Sequence, residues 1–114
     1  MLLPNGKRAI VDIRKLRDYC LNPDNEKGKH KARVFARVLG FTAGDAKTLR
    51  EKLLEVAATH EVSVGELDLY GQRYTIDFEM TTAIGSAEIR SGWIVLHKRD
   101  APRFLTCYVR TKKS

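Results

Sequence analysis

The hydrophobic period of this chain changes once, near His60, and that change constrains the fold more than any other feature. Before it, apolar residues recur every three or four positions, the spacing of one helix face; after it they alternate, the spacing of one strand face. Helices first and strands afterwards describe an α+β domain: N-terminal helices followed by an antiparallel sheet of about four strands, with the helices on one sheet face. The chain has 114 residues, which suits a single domain over 1–114 and leaves no room for two. Apolar residues are 43% and charged residues 31%, enough to build a core and too many for a disordered chain.

The punctuation fixes the expected elements. Ala9 to Val11 is a short strand or the lead into a helix. Asp12 is a suitable N-cap, and Ile13, Leu16, Tyr19 and Cys20 follow at helical spacing until Asn22-Pro23-Asp24, where the proline disfavours helix. A second helix starts near Gly28 or Lys29, carries Ala32, Phe35, Val38 and Leu39 on one stripe, and stops at Gly40. Thr42-Ala43-Gly44-Asp45 reads as a capping box with Asp in place of Glu, opening a third helix over about Ala43–Thr59. Strands follow: one near Glu66–Leu69, turning at Tyr70-Gly71-Gln72, and one in which Tyr74, Ile76, Phe78 and Met80 alternate with polar residues. After the Ile84-Gly85-Ser86 turn, Ala87, Ile89, Ser91, Trp93 and Val95 alternate with Glu88, Arg90 and Gly92. Arg103–Val109 is the last strand.

The chain carries 21 Lys and Arg against 14 Asp and Glu, a formal charge of +7, which points to an anionic partner. The surplus is uneven. Basic segments at 26–37 and 97–113 flank an acidic middle, and they form one patch if the fold joins them. No apolar run approaches the ~20 residues that a bilayer crossing needs, so no membrane role is expected. The opening MLLPNGKR lacks the long apolar stretch of a signal peptide, and a cytoplasmic chain is the expectation. Cys20 and Cys107 are too few for a disulfide scaffold; they pair or, on the preferred reading, act as small core residues. His30, His60 and His97 are scattered, no CxxC or HxxxH occurs, and no metal or other cofactor is expected.

Three stretches are candidates for chemistry. Lys27 to Arg33 sets His30 at a helix N-terminus among Lys29, Lys31 and Arg33, an electropositive setting that suits a phosphate and leaves His30 available as a general base. In Arg90-Ser91-Gly92-Trp93, Arg90 lies on the strand face opposite Trp93, so that one faces the core and the other a cleft; the strand glycine marks a bulge or the close approach of another backbone. In Arg103–Tyr108, Thr106 and Tyr108 present two hydroxyls on one face, with Arg103 at the strand start. Each has an ordinary alternative: a solvated histidine in a lysine-rich loop, a surface arginine, and good strand formers. Asp77 and Glu79 are read as solvated strand residues.

The segments LPNGKRAIVDIRKLRDYCLNP, GKHKARVFARVLGF, GQRYTIDFEM, RSGWIV and PRFLTCYV together resemble a family of small bacterial toxin-like domains. Its members occur alone beside a small partner gene or at the C-termini of polymorphic toxins. That family in turn is similar to the barnase–EndoU–colicin–RelE superfamily of small ribonucleases, which have N-terminal helices followed by a four-stranded antiparallel sheet.

The resemblance implies a metal-independent endoribonuclease toxin, restrained by a small acidic antitoxin or immunity protein, that acts on mRNA, tRNA or rRNA. Such enzymes direct the ribose 2′-OH at the adjacent phosphorus and leave a 2′,3′-cyclic phosphate. On this reading His30 is the base or acid, and Lys31, Arg90 and Arg103 hold the phosphate, with Lys29 and Arg33 adding to the phosphate-binding charge. Thr106 binds a phosphoryl oxygen and Tyr108 orients the ribose or serves as the acid. His97 lies in a basic loop rather than on a strand, which favours a single-histidine or RelE-like scheme over a two-histidine one. The alternatives are a non-catalytic basic module that binds RNA or an acidic protein, and the basic half of a protein pair.

Overall fold

The structure is a computed structural model that describes residues 1–110; Lys112 and Lys113, the end of the second basic segment, lie outside the described residues. A 3-10 turn at Gly6–Arg8 leads to helix α1, which opens as one α-helical turn, Ile13–Lys15, and continues as a π-helix, Leu16–Cys20. Helix α2 is Lys29–Leu39 and helix α3 is Ala46–Thr59, entered through a 3-10 turn at Ala43–Asp45. Strands β1 (Ser63–Leu67), β2 (Gly71–Thr81), β3 (Ser86–Leu96) and β4 (Arg103–Val109) form one antiparallel meander in the order β1-β2-β3-β4. The chain is therefore an α+β fold with its helices ahead of a four-stranded antiparallel sheet, as the change of period requires.

The caps act as expected. Asp12 accepts the Arg14 N–H, and Gly40, at φ 70°, closes α2 in the left-handed conformation. Thr42 and Asp45 make the reciprocal capping box. Of the two readings of Ala9–Val11, the lead into a helix is the one found, with a single parallel bridge from Ile10 to Arg103 at the outer edge of β4. The first strand also differs from expectation, ending at Leu67 rather than Leu69. The Asp68 carboxylate accepts the N–H groups of Tyr70 and Gly71 and turns the chain there. Gly71 then opens β2, where a side chain would run into the Val95 carbonyl.

Alternation sends Ile76, Phe78, Ile89, Trp93, Phe104 and Cys107 to the face that receives the helices. Phe35 and Leu39 of α2, and Leu49, Leu53 and Val56 of α3, fill it from the other side. A bulge in β4, between the pairs Gly92–Thr106 and Trp93–Phe104, keeps both Phe104 and Cys107 on the core face although they are three residues apart. Trp93 is fully buried and meets Phe104 edge-on at 5.5 Å. Its indole N–H donates to Ser91 Oγ (2.9 Å), and the Ser91 hydroxyl donates to the Ile76 carbonyl (2.8 Å). Ser91→Ala leaves the indole N–H without a partner in the core, and urea unfolding should register a loss of about 1–3 kcal/mol.

Candidate functional site

α1, α2 and β4 meet at the β4 edge of the sheet. The five-residue π turn, closed by Leu21 N–H to the Leu16 carbonyl, buries Leu16 and Cys20 and leaves Tyr19 half-buried beside β4. The Asn25 side chain accepts the N–H groups of Lys27 and Gly28 and donates to the Asp18 carbonyl, tying the loop before α2 to the end of α1. Gly28 completes the junction: a side chain there would collide with the Tyr19 carbonyl oxygen, so only glycine lets α2 start so close to α1.

This junction sets Lys31 between two phenol rings. Its ammonium lies 5.5 Å from the Tyr19 ring centre and 5.4 Å from that of Tyr108, within cation–π range of both. His30 is exposed one residue earlier, and with Lys31, Val34, Tyr108 and Val109 it lines a cavity of about 240 Å³. An imidazole, an ammonium and a phenol therefore share one small opening at the start of α2.

Below them, Cys20 Sγ lies 3.8 Å from Thr106 Oγ1. Cys20 and Cys107 are both free and fully buried, as expected of small core residues. The hydrogen bond from Cys107 holds the Cys20 thiol below its usual range, against the effect of burial, with the Cys107 backbone, Thr106 and the Lys31 charge acting the same way. Burial pushes the Cys107 thiol up.

Not every candidate residue joins this cluster. Arg90 pairs across the sheet with Asp77 on one side and Tyr108 on the other, but its guanidinium is engaged by both Asp77 carboxylate oxygens at 2.8 and 2.9 Å. The fork expected to clasp a phosphate thus clasps Asp77, which is the main cause favouring its charge, with the Tyr108 phenol acting the same way. Asp77 and Arg90 form an ion-paired row with Arg110 and Glu88 rather than a set of solvated charges. Arg103 is also displaced from the expected site. It sits at the far end of β4, roughly 15 Å along the strand from Tyr108, in a separate basic recess with Arg8, Lys98 and Arg99. Lys29 and Arg33 are four residues apart on a neighbouring face of α2 and do not line the His30 cavity. His97 Nε2 lies 2.8 Å from the Asp68 carbonyl oxygen at the β1–β2 turn, and His60 packs edge-on against Phe78, so neither histidine serves this site.

The hydrogen bond from Arg90 is the main cause that holds the Asp77 carboxyl below the usual aspartate value. Its contribution to stability is complete above a pH of about 5, where an unfolded aspartate is almost fully ionised, and is lost as pH falls through the lower folded value. Asp77→Asn should therefore lose less stability than the parent between about pH 5 and about pH 2, as read from urea midpoints.

Tyr19 is the residue that sequence reasoning missed as part of this site, because at its spacing it reads as one more apolar position of α1. Among the described residues, no group of three or more His, Cys, Asp or Glu is arranged to hold a metal ion, and no helix is long and apolar enough to cross a membrane. The chain belongs to the family described as a domain of unknown function (DUF6883), which matches residues 2–111. No curated protein and no solved structure matches the chain.

Proposed function

We propose that this DUF6883 domain is a metal-independent endoribonuclease toxin that cleaves RNA to 2′,3′-cyclic phosphate ends. The observation that supports the reading is the shared cavity of His30, Lys31 and Tyr108 at the start of α2. Transesterification needs a base for the 2′-OH, a cation for the phosphoryl oxygens and an acid for the leaving O5′. His30 takes the 2′-OH proton as the 2′-oxygen bonds to phosphorus. Lys31 faces the charge that gathers on the non-bridging oxygens, and Tyr108 gives its proton to O5′ as the P–O5′ bond breaks. Thr106 lies two residues from Tyr108 and offers a hydroxyl to a phosphoryl oxygen, while Arg90 holds Tyr108 from behind. The +7 charge favours both RNA and a small acidic antitoxin or immunity protein as partners.

Incubation of the purified protein with total RNA in EDTA tests the activity, with fragmentation as the expected result. Intact RNA that is nevertheless bound by the folded protein would give instead a non-catalytic RNA-binding module.

A further inference from the structure

We infer that the groove over Gly92, on the outer face of the sheet, seats a nucleobase of the RNA beside the scissile phosphate, an inference that rests on the ribonuclease reading above. The groove has a volume of about 410 Å³, and its walls include Tyr19, Arg73, Thr75, Leu105 and Thr106. That is within the ~300–1,000 Å³ range of small-ligand sites.

Gly92 forms its floor, and nothing in the chain demands glycine there. Its backbone is not in the left-handed region, where Gly40 alone among the described glycines is found. A Cβ added to Gly92 would meet no atom closer than 3.9 Å, ordinary contact with Thr106. This differs from Gly28 and Gly71, where a side chain would strike a carbonyl oxygen. Glycine inside a strand weakens it, and here neither conformation nor packing repays that weakness. What the missing side chain leaves is an open floor between Thr75 on β2 and Thr106 on β4, its two cross-strand partners.

The groove also lies in the right place for a nucleotide. Gly92 and Thr106 are two residues along their strands from Arg90 and Tyr108, roughly 7 Å, the scale of one nucleotide step. Beyond the groove in the same direction is the recess of Arg8, Lys98, Arg99 and Arg103, in which four cations outweigh the one carboxylate, Asp100, and suit the next backbone phosphate. Tyr19 offers a stacking wall, and the Thr75 hydroxyl offers a hydrogen bond to a base edge.

Amide NMR titrations with inorganic phosphate and with the four nucleoside 3′-monophosphates test this site. The expected result is that phosphate shifts His30 and Lys31, whereas the nucleotides shift Thr75 and Gly92 as well and bind roughly tenfold more tightly, the scale of one stacked base. Gly92→Val should remove that gain and leave phosphate binding unchanged. Thr75→Leu, which narrows the groove from β2, should do the same, and Gly92→Ala controls for folding. Nucleotides that bind no better than phosphate and leave Gly92 unmoved would overturn the base site while the phosphate site stands. No response of His30 or Lys31 to either ligand would overturn the ribonuclease reading, and the base site with it.

Discussion

Replacing His30 by alanine should lower RNA cleavage by roughly 10²–10⁴-fold, the range that a positioned general base contributes. The fold should not feel the change. His30 is exposed at the start of α2 and makes no side-chain hydrogen bond among the described residues, so stability stays within about 0.5 kcal/mol of the parent. Expression of the parent without a partner should arrest growth, and His30→Ala should relieve the arrest at equal protein level. Cleavage measured on purified protein, next to a denaturant curve, separates lost chemistry from lost fold. Retained cleavage would remove His30 from the mechanism.

Lys31→Met has the second large effect, a loss of about 10²–10³ in cleavage rate, as for the removal of one preorganised charge-stabilising group. The choice of methionine matters because the Lys31 side chain is also a structural piece, passing between the Tyr19 and Tyr108 rings. Methionine keeps an unbranched chain of similar reach and a thioether that packs well on aromatic rings, so the two phenols stay in position without the charge. Lys31→Arg keeps a cation that stacks on the same rings and should recover part of the rate. A rate kept by Lys31→Met and lost only in Lys31→Ala would mean that Lys31 acts through packing alone.

Much of this site was legible in the sequence, and the reasons for the rest are physical. The segment around His30 and Lys31 stood out because basic residues crowd a helix start, and Thr106 and Tyr108 because strand alternation sets them on one face. That these two stretches meet depends on Gly28 and the π turn, whose consequences are tertiary and leave no periodic trace. Arg90 faces the expected side of β3, yet its engagement by Asp77 depends on the β2–β3 register, which alternation alone does not set. Arg103 was grouped with Thr106 by closeness in sequence, although a strand carries residues a few positions apart to opposite ends of a site. The fold itself was easier to read: caps at Asp12, Gly40 and Thr42 mark the helices, and only β1, exposed along its whole length, lacked an apolar face to fix its ends.

The most direct test of the central claim is end-group analysis of RNA incubated in EDTA with the purified, partner-free protein. The account predicts fragments that end in 2′,3′-cyclic phosphate and begin with 5′-OH, formed by the parent and not by His30→Ala, with no cut at a position carrying a single 2′-deoxy substitution. Fragments with 5′-phosphate ends, cleavage that ignores the 2′-deoxy substitution, or intact RNA from folded protein would contradict it.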